Sequence, residues 1–532
     1  MIDRQNAGAA TTLAPFALLL ALSAGTRPAL AQPSEEPSTP APSEPAPSEP
    51  APSEEPPTAA NDAPAPALEP KSAQKAGTEA TPLPAVRRAD AESGEASWFE
   101  RAPLTLSLGE GKQKWSLTFY GFIEADFITD STRSYDDAIG SSLVARSDTY
   151  AGRVGRSQFS VRNTRLGLKF ESPMAGGVRP SAVLEADFYG ASSPESSEHT
   201  AYTSPNFRLR HAYLSLENDY LSVLAGQTYD VFGWQNYFFP MTAEFLGVPN
   251  QVFSRNTQLR LSHVFGASGP ISVELAASAV RPAQRDSGVP DANAGLRFSV
   301  EGCKGITTPG SSGTIALPLS IGVSAVARRF RANAFAPLPA QNSNSTSGWG
   351  VSIDGLLPII PASSAGDRGN RLTLIGGFVT GSGIADLITA GGGATFPTLP
   401  NPTQANPPPE YSANIDDGLV TFDLNGVLHS IDWRAFKVGL QYYLPPSGRL
   451  IFSANYTQAY SKNLRQLFPK GGAEIELLGR VANSSRYGDA NLFWDATPAV
   501  RFGISGQYTQ VEYLDGNAPH NLRGMALALY AF

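Results

Sequence analysis

The sequence predicts an all-β fold: a transmembrane antiparallel β-barrel of 16 strands, with 18 strands as the alternative and one loop folded inward as a constriction. Residues 115–127 alternate apolar and polar side chains over more than ten positions. This is longer than most strands of soluble sheets and matches a strand that crosses a membrane. The N-terminus has the pattern of a secretory leader, and the chain ends on an apolar strand. Because hydrocarbon offers the backbone no hydrogen-bond partner, such strands must close into a barrel.

Composition divides the chain into four segments. Residues 1–31 hold a short apolar run followed by Ala29, Leu30 and Ala31, which is typical of a cleaved signal peptide. Residues 32–70 repeat APSEP-like units. Since proline fixes φ and removes backbone donors, these units predict an extended, solvated, Pro/Glu-rich spacer in the periplasm. Residues 71–113 are polar and transitional, and the barrel is predicted over 114–532.

The alternating pattern returns along the rest of the chain. Further strands are predicted at 163–170, 182–188, 207–216, 220–228, 257–265, 271–280, 294–302, 315–329, 347–355, 371–380, 418–429, 434–444, 449–460, 487–495, 500–510 and 525–532. The assignment of side chains to faces is clear in 371–380, whereas no single phase fits 207–216. Glycine- and proline-rich joints separate the strands, and 391–409 is predicted to be an external loop.

One stretch between two predicted strands stands out by its aromatic content. Residues 229–256 contain eight aromatic side chains, among them Tyr229 and Trp234, and only three charged ones, Asp230, Glu244 and Arg255. A long insert of this kind is normally functional or disordered, and its hydrophobicity argues against disorder. We therefore expect a loop that folds inward, packs against the barrel wall and narrows the lumen. The alternative is a surface flap held down by its own aromatic side chains.

The composition argues against several classes of function. Cys303 is the single cysteine and the five histidines are scattered, so neither a disulfide framework nor a metal site is predicted. No G-x-S-x-G, P-loop or H-E-x-x-H motif is present, and the adjacent His429 and Ser430 would point to opposite faces of a strand. No catalytic residue and no cofactor are therefore predicted. Residues 1–113 hold 8 of the 40 Lys/Arg and 15 of the 48 Asp/Glu, so the barrel is nearly neutral and no nucleic-acid partner is expected.

Five stretches resemble a known family: YGFIEADFITDS at 120–131, RLGLKF at 165–170, RLRHAYLSL at 208–216, LAGQTYDVF at 224–232 and SRNTQLRLS at 254–262. They are similar to the trimeric DcaP-like outer-membrane porins, from about residue 115 to 262, with the C-terminal strand in support. The resemblance implies a homotrimer in the outer-membrane bilayer that passes small anionic solutes such as dicarboxylates. Two departures weaken the transfer of a solute: the Pro/Glu-rich spacer replaces a helical N-terminal segment of some members, and the inward loop has its own aromatic set.

These observations predict an outer-membrane porin, a water-filled channel for passive diffusion of small hydrophilic solutes that favours small anions such as carboxylates. A barrel of this width has an aqueous lumen. The alternative is a barrel anchor whose Pro/Glu-rich arm tethers envelope layers while the pore is incidental. Tyr530 and Phe532 at the C-terminus resemble the signal by which the barrel-assembly machinery recognises its clients.

Charged side chains on the lumen face are the candidates for selectivity, because a pore discriminates by charge and width. Arginine on the lipid face costs about 2–4 kcal/mol at mid-depth, so arginines of the strands should point inward. The candidates at the constriction are Arg165, Arg208, Arg210, Arg255, Arg260, Asp230, Glu244, Tyr229 and Trp234. The opposing acidic face is predicted to comprise Glu124, Asp126, Glu185 and Asp187. In the alternative interpretation, the arginines merely neutralise these carboxylates.

Overall fold

The structure, a computed structural model, describes residues 104–532 except for 141, 192–196, 236, 285–286, 307–315, 335–341, 363–367, 390–414, 424, 469–478 and 480. The predicted signal peptide (1–31), the spacer (32–70), residues 71–103 of the transitional segment and the external loop (391–409) lie outside the described residues.

The described chain is built almost entirely of β-strands. The strands are β1 (Leu104–Leu108), β2 (Trp115–Asp130), β3 (Arg156–Ser160), β4 (Arg165–Glu171), β5 (Arg179–Asp187), β6 (Arg208–Glu217), β7 (Ser222–Tyr229), β8 (Arg255–Phe265), β9 (Ile271–Val280), β10 (Asp291–Ile306), β11 (Ala316–Asn333), β12 (Ser343–Ile360), β13 (Arg371–Ser382), β14 (Val420–Phe422), β15 (Leu428–Ser430), β16 (Asp432–Tyr443), β17 (Leu450–Ser461), β18 (Ala482–Asp495), β19 (Val500–Tyr513) and β20 (His520–Ala531). The helices α1 (Glu198–Thr203) and α2 (Leu464–Leu467) and the 3₁₀ turns Gly111–Gln113 and Ala385–Leu387 are short. No helix in the described ranges is long and apolar enough to cross a membrane.

The strands close into a barrel because β20 pairs with β2 as well as with β19. The main sheet holds 18 strand segments. Of these, β3 and β4 both pair with β2 and form one strand broken at 161–164, and β1 pairs with β2 alone. The barrel therefore has 16 antiparallel strands, which confirms the predicted number over the alternative of 18. Within the described residues the sheet also includes β1, which lies before the predicted start of the barrel at 114.

One predicted barrel strand is wrong. Residues 418–429 were expected to cross the membrane, but β14 and β15 form a separate two-stranded hairpin. The Asp423 side chain accepts hydrogen bonds from the backbone N–H groups of Asn425 and Val427, both at 2.9 Å, and so stabilises a tight turn. Leu419 and Leu428 on either side are buried in an apolar cluster formed by the long loops.

The two faces of the barrel have opposite chemistry. Along β12, the outward side chains Trp349, Val351 and Ile353 are exposed, whereas the inward Ser352 and Asp354 are buried. Other strands repeat this arrangement, which is the reverse of a soluble sheet packed on an apolar core. An apolar outer surface is stable against hydrocarbon, where charged side chains are costly.

The loop between β7 and β8 folds into the barrel, as the sequence predicts, and the surface-flap alternative is wrong. Its backbone carbonyls are hydrogen-bonded by inward side chains of distant strands: Lys437 Nζ to Phe238 O at 3.0 Å and Asn455 Nδ2 to Met241 O at 2.7 Å. At its far end, Val252 forms a β-bridge with Ile388 of another long loop. We call this segment, residues 230–254, the inward loop.

A glycine at the β6–β7 pairing allows the two strands to approach closely. Gly226 has φ of +130°, and a Cβ there would lie 2.3 Å from the backbone oxygen of Ala212. Only glycine adopts this backbone geometry without strain.

We predict that Gly226→Ala destabilises the barrel by on the order of 1–3 kcal/mol, because it adds both backbone strain and a steric clash. The measurement is the temperature at which folded protein converts to the unfolded form on a gel. Gly506→Ala is the matched control, because a Cβ at Gly506 meets nothing within 4 Å. Equal unfolding temperatures for the two variants would contradict the prediction.

Candidate functional site

Two buried carboxylates on the inner face of β5 bind arginines of neighbouring strands. Asp187 receives two hydrogen bonds from Arg208, at 2.9 and 2.6 Å. Arg210 bridges the pair, with Nε 2.6 Å from Glu185 and Nη1 3.0 Å from Asp187. Arg165 Nε lies 3.5 Å from Glu185 on the other side. Bidentate and bridging geometry of this kind gives strong charge-assisted hydrogen bonds.

A β-bulge directs these arginines into the barrel. In the pairing of β5 with β6, Glu185 lies opposite His211 and Ala186 lies opposite Leu209, which leaves Arg210 as the extra residue. As a result Arg210 and His211 are both buried, while Leu209 is exposed on the outside. The bulge breaks the two-residue period, and this is why no single phase fits 207–216 in the sequence.

Tyr229, the last residue of β7, is contacted by three arginines. Arg210 Nη2 donates to its hydroxyl at 3.3 Å, and Arg260 Nη2 donates to its backbone oxygen. The Arg255 guanidinium lies 5.9 Å from the centre of the Tyr229 ring and 5.1 Å from that of Phe253. We call Arg165, Arg208, Arg210, Arg255 and Arg260 the arginine cluster.

Neutralisation of the arginine cluster is incomplete. Arg165, Arg208 and Arg210 pair with Glu185 and Asp187 on the adjacent strand. Within the described ranges, Arg255 and Arg260 form no ion pair, and Arg255 Nη1 has no hydrogen-bond partner. Arg260 is held by Gln258 Oε1, 3.1 Å from its Nε, which is a neutral acceptor. Two positive charges at the base of the inward loop are therefore left without a counter-charge at contact distance.

The acidic residues of the inward loop anchor it. Asp230 accepts hydrogen bonds from Ser254 Oγ at 2.6 Å and Asn256 Nδ2 at 2.7 Å, which ties the two ends of the loop together. Glu244 accepts from the backbone N–H of Ile139 at 2.9 Å and lies 3.4 Å from Arg523. Burial raises the pKa of the Glu244 carboxyl to about 7, against the opposing effect of Arg523.

Trp234 fixes the start of the inward loop to the inner side of strands β10 and β11. Its indole Nε1 donates to Val323 O at 3.1 Å, and its ring lies where side chains at Gly295 and Gly322 would clash. The φ of Trp234 is +42°, an unusual value for a residue with a Cβ. These contacts assign Trp234 a packing role against the barrel wall.

The remaining predicted residues form no ion pair with the arginine cluster among the described residues. Glu124 and Asp126 are buried on the inner face of β2, and among the described residues the Asp126 carboxylate oxygens have no hydrogen-bond partner. Tyr530 is exposed on the outer face of β20. The backbone of Phe532 exchanges two hydrogen bonds with Gly121, at 3.1 and 3.2 Å, next to the β2–β20 pairing.

Sequence reasoning missed several buried cations of the inner wall. Arg523 is paired with Asp130 at 2.9 Å, Lys437 with Asp354 at 2.9 Å, and Arg328 with Asp291 at 2.8 Å. Their signal is present in the sequence, because each occupies the inward phase of an alternating strand. In the described part of the chain, no group of three or more His, Cys, Asp or Glu residues is arranged to hold a metal ion.

No protein-family model matches this sequence, and no curated protein matches it. Among solved structures, the outer-membrane channel DcaP of Acinetobacter baumannii is similar, with a TM-score of 0.54 and 17% identity over 79% of this chain and 97% of that one. This chain has the fold of DcaP. The trimer form of OmpT of Vibrio cholerae (TM-score 0.42, 11% identity, 79% of this chain and 99% of that one) is also similar. So is an anion-selective porin from Comamonas acidovorans (TM-score 0.42, 10% identity, 79% and 100%).

We predict that Arg210→Ala destabilises the folded barrel by about 3–5 kcal/mol, because it leaves Glu185 and Asp187 buried without their shared partner. Arg255→Gln should cost far less, since no carboxylate loses an ion pair. Gel-shift unfolding temperatures of the two variants provide the measurement. A loss at Arg255 as large as that at Arg210 would contradict the assignment of Arg255 as the unneutralised charge.

Proposed function

We propose that this chain forms a water-filled channel in a bacterial outer membrane, through which small hydrophilic solutes diffuse passively, with a preference for small anions such as carboxylates. The observation that carries the proposal is the pair of unneutralised guanidinium groups, Arg255 and Arg260, on the inner side of a closed barrel. The apolar outer face supports the membrane location.

The distribution of exposed inner residues supports a path beside the arginine cluster. On β16, β17 and β18 the inner wall is covered by the inward loop, and Thr242 Oγ1 donates to Asp489 at 2.6 Å. On β4 and β6 two inward side chains keep access to water, Lys169 at 41% and Arg208 at 27% exposed, while Arg165 and Arg210 are buried. In our proposal, solutes pass along the wall formed by β4 to β8 and meet the inward loop on the opposite side.

The preference for anions follows from electrostatics at a narrow site. A fixed charge acts on a passing ion more strongly where protein replaces most of the water than in the open lumen. Guanidinium groups bind carboxylates through two parallel hydrogen bonds. Glu185 and Asp187 offset two of the five positive charges of the arginine cluster, and Arg255 and Arg260 are its members without a carboxylate at contact distance.

The assembly and the N-terminal segments belong to the same proposal. The resemblance to DcaP-like porins supports a homotrimer that is folded by the barrel-assembly machinery. A signal peptide at 1–31 and a periplasmic spacer at 32–70 stay predictions from composition. The anchor alternative, in which the Pro/Glu-rich arm is the functional part, requires a barrel that conducts no ions.

We predict that Arg255→Ala combined with Arg260→Ala shifts the reversal potential toward cations by several-fold in the permeability ratio. Planar-bilayer recordings of purified protein in a salt gradient give the measurement. The shift should shrink at 1 M salt, where the Debye length is about 3 Å. Arg465→Ala is the control, because Arg465 lies on the short helix α2, where it is exposed and pairs with Glu512 of β19.

Arg165→Ala should shift the reversal potential less than the double variant, since Arg165 is already beside Glu185. An unchanged reversal potential in the double variant would refute the anion preference while leaving the channel intact. Folded protein that carries no current at all would instead favour the anchor alternative.

We predict that replacing residues 231–249 by a short Gly-Ser link raises the single-channel conductance. The deletion removes the buried Phe232, Phe238 and Met241 from the lumen, while the strand pairing that closes the barrel stays intact. Heat-dependent gel mobility should confirm a folded barrel before recording. Unchanged conductance in a folded variant would mean that the inward loop does not limit the path.

A further inference from the structure

The short strand β1 lengthens the barrel wall beyond the C-terminus. β20 pairs with β2 from Phe122 to Asp130, and Phe532, the residue after β20, bonds to Gly121. β1 pairs with the same edge of β2 directly below, with Leu104 opposite Phe119 and Leu108 opposite Trp115. The β1–β2 hairpin therefore covers an edge that β20 leaves open.

This hairpin has two different faces. Leu104, Leu106 and Leu108 lie on one side, opposite Phe119, Leu117 and Trp115 respectively. They are 61%, 57% and 77% exposed. The other side carries hydroxyl groups: Thr105 and Thr118 are hydrogen-bonded at 3.1 Å, and Ser107 pairs with Ser116.

The leucine face continues the outer apolar surface of the barrel. Trp115, Ile123 and Phe127 have the same phase on β2, and each is exposed. Tyr530 of β20 pairs with Ile123 and is exposed on the same side. The alternation of inward and outward side chains along β2 is not interrupted between these residues and those opposite the β1 leucines. The leucines therefore lie on the outer side of the barrel.

We infer that the leucine face of the β1–β2 hairpin is a lipid-binding surface, and that residues 104–108 belong to the membrane-embedded belt and not to the polar transitional segment predicted at 71–113. The inference rests on the proposed membrane location. Its occupant is a lipid surface because the face is apolar throughout, bears no charged side chain and is continuous with the outer belt. Trp115 at its end fits the aromatic girdle that marks the boundary between hydrocarbon and headgroups.

Site-directed spin labelling tests this inference in the full chain. In a Cys303→Ser background, Leu106→Cys places a nitroxide on the leucine face, and Ser107→Cys places one on the hydroxyl face as the matched control. In proteoliposomes of phosphatidylcholine and phosphatidylglycerol, we expect collisions with oxygen to dominate at position 106. Collisions with a water-soluble nickel chelate should dominate at position 107.

Greater access of the nickel chelate than of oxygen at position 106 would overturn the inference. Low access of both probes at position 106, with spin–spin broadening that disappears when labelled and unlabelled protein are mixed before assembly, would also overturn it. That result would assign the face to a second copy of the chain. Conductance of the same labelled proteins is recorded in parallel, so that a failure of the lipid surface is distinguished from a failure of the channel.

A truncation supplies an independent measurement. A chain whose mature part begins at Leu104 should unfold on the gel at the same temperature as the full chain. A chain that begins at Trp115 loses β1, uncovers the β2 edge from Trp115 to Phe119 and should unfold at a lower temperature. Equal stability of the two truncated chains would overturn the assignment of β1 to the barrel wall.

Discussion

The pairing of β2 with β20 is the constraint on which the rest of the molecule depends, because it joins the two ends of the sheet and leaves no barrel strand with a free edge in the hydrocarbon. An ion pair reinforces this junction on the inside. Asp130 and Arg523 are directly opposite each other in the pairing, and both Asp130 oxygens are bonded to Arg523, at 2.9 and 3.0 Å. Side chains of opposite charge that lie opposite each other on neighbouring strands stabilise a sheet. This pair is also shielded from water.

Closure also determines where the charges go. Because most of the outer face is apolar, the ionisable side chains of the strands lie mainly on the inward phase, where the loops that fold into the barrel bury many of them. Buried charges are tolerated when they are paired, as Lys437 is with Asp354. The arginine cluster departs from this rule at Arg255 and Arg260, and this departure is the basis of the proposed anion preference.

The positions of most strands were predictable from the sequence, whereas the side-chain contacts between strands were not. A two-residue period indicates most of the barrel strands from local pattern alone, since membrane strands need an apolar outer face. The pattern cannot distinguish a barrel strand from the hairpin of β14 and β15, because a few residues that alternate between apolar and polar are compatible with either structure. It also failed at Arg210, where the bulge inserts one residue and reverses the phase. The pairing of Arg208 and Arg210 with Asp187 depends on that bulge and on the contact between β5 and β6, so it lay beyond sequence reasoning.

Tyr229 belongs to the barrel wall and to the root of the inward loop at once. Its hydroxyl and ring contact Arg210 and Arg255, and its backbone oxygen holds Arg260. Any displacement of Tyr229, where the inward loop begins, must therefore also move the guanidinium groups that contact it. In the channel proposed above, width and charge are mechanically coupled through one residue, so evolution could not widen the lumen beside Tyr229 without also changing the proposed preference for ions.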